Sequence, residues 1–593
     1  MKMKTKNILK SLAVVSCCFL LPGCDMDEYN PSGGPTMEQY ASTPAGFDEL
    51  ISACYYPLTR SWTGGGEDWV VHIAEVGTDI WTTPRGDSHI KEFFYYDGLG
   101  PMLGHMAECW QSSYESINHC NAAIRFAPEC SFPTDAARNA KVAEAHYLRA
   151  FFNFFLVEQW GGVYLPQTNT TAPNTDMERA SVEEMYALIL SDLDFATKHL
   201  PLVQPANETG RVTRKAAYHL LAKAALQYAV EYTPANKTEL LTLAKRSAEE
   251  VINNQAAHTV SLYPEVADVF DVANNKSNSE AVWVATHSSV ASLNPRGGSY
   301  WNRVYKQFGV SLADKTCGIN WYTSPGPSGE SGEYCSMSGR IMPTLLLLDL
   351  YGEKDARYAA YFREDYIANA DYVWTSGDAS SYFKDNSFVG TKTIKIGELG
   401  ARFTRESVDN PEAAPYAYLD RDLIYNADGT TNLINAPKGY PALKKFETPF
   451  MYGGGANKPW SWGDHILYRL AETYLLAAEA AYWLNDMATA KTYFNVVRNR
   501  ACEGHDGSLD ITEGDIDVDF ILAERARELC GEYTRFMDLK RMGKEKMTEY
   551  VNSNPNIRAK GMFNYDVHKV RPLPWNTELG FYGNPEAAQN PGY

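Results

Sequence analysis

Two stretches of the chain combine flat aromatic rings with planar hydrogen-bonding groups. The first, Trp62 to Asp97, holds Gly64-Gly65-Gly66, Asp79, Trp81 and Arg85; the second, Asn294 to Tyr322, holds Arg296, Tyr300, Trp301, Asn302, Asn320, Trp321 and Tyr322. A Trp or Tyr face takes the apolar C–H side of a ligand, while Asp, Asn or Arg meets its hydroxyls through paired hydrogen bonds. That is chemistry for capturing a hydrated, amphipathic molecule such as a sugar. Affinity is modest, because each hydrogen bond nets only about 0.5–1.5 kcal/mol. For Trp81, Trp301 and Trp321 a core or partner-contact position is the competing reading, since large aromatics are so often buried. Trp283 lies in a strand-like run and reads as core, whereas Trp374, in WTSGDASSY, is a loop candidate with core as its alternative.

Signals for catalysis are sparse. The chain has no GxSxG, HExxH or GxxxxGK[ST], so serine-hydrolase, zincin and P-loop signatures are missing. A glycan hydrolase would need only two carboxylates about 5–9 Å apart, and 73 acidic residues leave that alternative open. Glu524 and Glu528, one helical turn apart, lack a Glu-x-x-His partner and read as structural ion pairs with Arg525, Arg527 or Arg535. Asp515, Asp517 and Asp519 alternate as in a calcium loop, but Phe520 stands where an EF-hand needs Gly, and acids before a helix suit its dipole. No cofactor or metal is expected. The cysteines form no CxxC, which argues against zinc; Cys317 with Cys335 is the preferred disulfide, and free buried thiols are the alternative.

The elements that must position these residues are mostly helical. Ala143 to Trp160 spaces Tyr147, Phe151, Phe154 and Phe155 at three to four residues and ends at Gly161-Gly162, which suits a left-handed cap. Thr213–Tyr232 and Glu239–Asn253 form one helical hairpin, and Asp464–Trp483 with Met487–Arg500 another. Their alanine-rich faces permit close contact, as in stacked helical repeats, although no strict period recurs. Residues 255–460 differ: Gly, Pro, Ser, Asn and Trp increase, and short strand-like pieces such as Ala281–Thr286 alternate with loops. Insertions of this kind cost a rigid scaffold little and often carry the binding residues.

The chain has 593 residues, 45% hydrophobic and 21% charged, which excludes wholesale disorder. A net charge of −19 argues against nucleic acid as a partner. At the amino terminus Lys2, Lys4, Lys6 and Lys10 precede an uncharged run from Ser11 to Leu21, the pattern of a signal peptide over residues 1–23. Leu21-Pro22-Gly23-Cys24 resembles a bacterial lipobox, with Cys24 the acylated residue. Cleavage there leaves 50 basic against 73 acidic residues, a balance of −23. Several acyl chains make a lasting anchor, at about 0.8 kcal/mol per buried CH₂.

Residues 521–541 read ILAERARELCGEYTRFMDLKR, and the tail adds Val570-Arg571-Pro572-Leu573-Pro574 and Gln589-Asn590-Pro591-Gly592-Tyr593. Together with AEAHYLRAFFNFFLVEQWGGVYLP at 143–166 and YRLAETYLLAAEA at 468–480, this order of motifs resembles the SusD/RagB family of surface lipoproteins from Cys24 to Tyr593, with a divergent middle. The resemblance implies a mainly α fold, a tetratricopeptide-like helical-repeat scaffold carrying a loop-rich insertion with short strands. It also implies a non-catalytic, surface-exposed lipoprotein of the cell outer membrane that captures glycan and passes it to a SusC-like TonB-dependent transporter. Capture of oligopeptide, as in RagB-like members, is the alternative. On this reading residues 24–40 form the lipidated tether, 41–270 the N-terminal helical region, 271–460 the variable ligand-binding region and 461–593 the C-terminal helical region and tail. Asp79, Trp81, Arg85, Tyr300, Trp301, Asn320, Trp321 and Tyr322 are the expected ligand contacts.

Overall fold

The computed structural model describes residues 37–63, 69–85, 91–172, 177–290, 293–294, 302–310, 316–319, 339–382, 385–408, 414–447, 451–452, 460–575 and 588–593. Its longer helices are α1 (Pro44–Pro57), α2 (Gly104–Phe126), α3 (Asp135–Trp160), α4 (Val182–His199), α5 (Arg214–Glu231), α6 (Lys237–Asn253), α7 (Leu470–Trp483), α8 (Met487–Ala501), α9 (Val518–Leu529), α10 (Arg535–Arg541) and α11 (Gly543–Ser553). Each of α1 to α8 packs on the next, so the chain builds one continuous helical stack. The contact of α6 on α7 spans the whole intervening segment 254–469, which therefore enters and leaves the stack between neighbouring helices. The fold is mainly α and of the helical-repeat kind that the motifs imply.

Local chemistry explains the helix bounds. Thr134 accepts the Ala137 N–H at 3.1 Å and starts α3 at Asp135, ahead of the expected Ala143. Gly161, with φ 75°, ends it. Ser181 and Glu184 form a reciprocal capping box at the start of α4. On α3 almost every side chain from Val142 to Trp160 is buried, because neighbouring helices cover it on several sides. In α5 and α7 runs of alanine let the backbones approach closely.

One expected helix is shorter than its sequence suggests. His465–Arg469, the proposed beginning of the helix at Asp464, is a strand that pairs antiparallel with Ala281–Ala285, His465 opposite Ala285 and Arg469 opposite Ala281. The alternation in HILYR suits either state, and the available strand edge decides it. The other strands are short. Trp81–Thr82 pairs with Met342–Pro343, and Asp365–Ile367, Leu399–Phe403 and Ala417–Leu419 form a three-stranded sheet.

An ionic cluster joins the inserted region to the helices. Glu528 of α9 accepts from Arg469 at 2.6 Å, Arg500 at 2.5 Å and Arg357 at 3.2 Å. Glu524 binds Arg357 at 2.7 Å, Arg498 at 2.6 Å and Arg527 at 2.8 Å. Glu280, beside the inserted strand, bridges Arg469 and Arg500. The expected structural role of the two glutamates holds, with partners beyond Arg527. Arg525 instead pairs with Asp538 at 2.8 Å, and Arg535 with Asp79. Burial alone would raise the Glu524 carboxyl, but Arg357, Arg527 and Arg498 outweigh it and hold it down to about 2.

Candidate functional site

The described ends of the two aromatic stretches meet. The Arg303 N–H donates to the Thr63 carbonyl at 2.7 Å, and the Thr63 hydroxyl lies 3.0 Å from His287 Nε2. Asn302 forms a two-way backbone bridge with Ser461, at 3.0 and 3.1 Å, and its amide donates to the Gly463 carbonyl at 3.1 Å. Asn294 ties its own turn together, accepting the Ser288 N–H at 2.9 Å and donating to the Ser288 carbonyl at 2.7 Å. Segments far apart in sequence, at Thr63, Asn302 and Ser461, are thus fastened at one place.

Around this junction the electrostatics come from Asp464. Its Oδ1 accepts the His287 N–H at 2.9 Å and the Lys276 ammonium at 2.5 Å, while the same ammonium sits 5.2 Å from the partly buried Trp462 ring. Burial, then Lys276 and His465, drive the His287 imidazole down to about 3, so it is neutral at physiological pH. A shallow depression beside Asn302 is bordered by Asn275, Asn278, Asp464 and Phe446. It adjoins a wider recess of about 510 Å³ reached past Phe270 and Asp271. Trp462, Lys276 and Asp464 did not emerge as candidates from the sequence. For Trp462 and Asp464 the signal was the cluster WSWGD at 460–464, which has the same aromatic, glycine and carboxylate ingredients as the first stretch; Lys276 carried none.

Two of the expected contact residues lie in the core. Trp81 has no exposed surface; its ring packs on Phe308 at 5.0 Å and its indole N–H donates to Glu75 at 2.7 Å. Asp79 is equally buried and makes a two-pronged pair with Arg535 at 2.8 and 2.5 Å. A ring closed on all sides offers no face to a ligand, and a carboxylate held by a guanidinium has its lone pairs occupied. The reason is topological: residues 75–82 run between the start of α10 and the strand at Met342. Glu75 accepts the Thr534 N–H at 2.9 Å beside the start of α10, and burial pushes its carboxyl up to about 7 against these hydrogen bonds. Trp62 is also core, 4.6 Å from Phe151, as are Trp283 and Trp374. For Trp374 the core reading holds over the loop candidate; its indole donates to the Pro415 carbonyl at 3.3 Å.

Arg85 is exposed, its backbone N–H held by the Thr83 hydroxyl at 3.2 Å. It lies near Tyr440, whose hydroxyl donates to the Gly309 carbonyl at 3.1 Å, and so approaches the second stretch. Tyr300, Trp301, Asn320, Trp321 and Tyr322 lie outside the described residues, as do Arg296, Cys24 and Cys335. Cys317 is a buried free thiol, 3.7 Å from the Asp378 carboxylate. The three aspartates near α9 have structural duties: Asp517 caps the helix through the Phe520 N–H at 2.7 Å, Asp515 closes a box with Thr512, and Asp519 pairs with Lys546 at 2.7 Å.

Known proteins share both the sequence pattern and this architecture. The model of the SusD family matches residues 298–593, and a second, described as starch-binding associating with outer membrane, matches residues 94–226. "SusD-like protein P2" of Formosa agariphila is 25% identical over 594 residues, covering 97% of each chain. A SusD homolog from Bacteroides thetaiotaomicron superposes with a TM-score of 0.70 at 17% identity, over 94% of this chain and 98% of that one. A laminarin binding SusD-like protein does so with 0.62 at 20% identity, over 93% and 100%. With the α1–α8 stack, the ERAREL helix and the closing tail all in place, the chain belongs to the SusD/RagB family.

Proposed function

We propose that the protein captures glycan at the cell surface without altering it, using the segments that meet at the Thr63–Asn302–Ser461 junction. The observation that carries this reading is the junction itself. It fastens three segments rich in Trp, Tyr, Asn and Gly on a rigid helical body, the arrangement a ring platform with a polar rim requires. Family membership supports it, and so does the laminarin-binding relative of the same fold. Arg85, Tyr300, Trp301, Asn320, Trp321 and Tyr322 are the proposed contacts, joined by Trp462; Asp79 and Trp81 support them from the core.

Acylation at Cys24 would hold the protein on the outer membrane. Among the described residues no helix is long and apolar enough to cross a membrane. A SusC-like TonB-dependent transporter is the proposed recipient of the cargo. Affinity electrophoresis of the purified protein against a polysaccharide panel that includes laminarin tests the binding. Retardation by a glycan is expected; indifference to every glycan with binding to oligopeptides would overturn it.

A further inference from the structure

A recess of about 220 Å³ lies between the connection from α4 to α5 and the strand Ala281–Ala285, and shares Asn275, Asn278 and Asp464 at one edge with the depression beside Asn302. Val203, Gln204, Thr213, Lys215, Asn278 and Trp283 are among its lining residues. The other cations that reach it are spoken for. Arg211 pairs with Asp48 at 3.0 Å and Glu144 at 3.1 Å, and Lys276 with Asp464 at 2.5 Å. Lys215 is different. Its ammonium donates to the carbonyls of Ala281 at 3.1 Å and Thr259 at 3.5 Å, and among the described residues it has no carboxylate partner. An ammonium has three donors, so one is left for the recess.

The surroundings deepen this positive character. Lys215 and Arg214 occupy the first turn of α5, an 18-residue helix, with no acid there to match the positive end of its dipole. Thr213, at the N-cap, makes no capping bond, and its buried hydroxyl has no partner among the described residues. The fully buried His258 is depressed by its burial and then by Lys215 and Arg214. Burial also draws the Lys215 ammonium down to about 8, the mark of a desolvated cation lacking a counter-ion. In a chain of net charge −19 such a spot calls for a ligand anion.

We propose that this recess is a second binding site, centred on Lys215 rather than on Asn302, that takes one acidic sugar ring with its carboxylate on the Lys215 ammonium. Its volume falls below the roughly 300–1,000 Å³ of a drug-sized site, which limits it to a single ring. Leu202 and Val203, 39% and 49% exposed, supply an apolar lip for the ring's C–H face, which a bare inorganic anion would not use. The site stands on its own geometry, whatever the loops bind.

Titration calorimetry of the mature chain with glucuronate, glucose and inorganic sulfate tests it. Glucuronate should bind, with glucose and sulfate at least about tenfold weaker; Lys215→Met should weaken glucuronate at least about tenfold, equivalent to about 1.4 kcal/mol, and Lys215→Arg should restore it. Trp301→Ala with Trp321→Ala should leave glucuronate binding intact, so this site and the loop site fail separately. Glucose or sulfate binding as well as glucuronate, or an unaffected Lys215→Met, would overturn the proposal. Should that variant not fold, trace acylation of the wild-type protein serves instead: glucuronate should protect Lys215 in the peptide map, and unchanged labelling would overturn the assignment.

Discussion

Replacing Trp81 with Ala removes an enclosed ring and its bond to Glu75, and should cost about 3–5 kcal/mol in urea unfolding. Asp79→Ala strands the Arg535 guanidinium in the core and should cost a similar amount, about 3–5 kcal/mol. Arg85→Ala, at an exposed position, should change stability by no more than about 0.5 kcal/mol. Trp301→Ala combined with Trp321→Ala should abolish retardation by glycan while the melting temperature stays put; unaltered affinity would remove both from the site. These contrasts separate residues of one composition class by their surroundings. Local sequence marked Asp79, Trp81 and Arg85 alike as ring-and-polar chemistry. Only the distant Arg535 and Phe308, more than 200 residues away, decide that the first two are core.

At the scale of elements, the stability of the assembly depends on α9 and its arginines. A carboxyl held below its ordinary value of 4.5 contributes stability that is present above that pH and lost as pH falls toward its folded value, about 2 for Glu524. Glu528, Glu532 and Asp538 are shifted in the same direction, burial opposing and their arginine or lysine partners prevailing. The chain should therefore lose stability steeply between about pH 4.5 and 2. Glu524→Gln should be destabilised at pH 7 and show a shallower acid limb; an unchanged slope in denaturant titrations at several pH values would count against the network. Helices α3 and α5 to α8 were legible because their aromatic and alanine spacing and, for α3, the Gly161-Gly162 ending agree. The strand at His465–Arg469 was not legible as such, because its state is set by pairing with Ala281–Ala285 across nearly two hundred residues.

For the whole molecule, the proposed function makes the helical stack a mount and the inserted segments the working face. The order of motifs from 143–166 through 521–541 to the tail made the family legible, since many separated positions must agree. The contact residues were less so, because a platform is defined by which loops share a junction, and Thr63, Asn302 and Ser461 share no sequence neighbourhood. Capture without chemistry is checked by incubating the purified protein with a polysaccharide that retards it in a native gel and following reducing ends with time. Binding with a flat baseline is the expected result, and steady release of reducing ends in proportion to protein would contradict it.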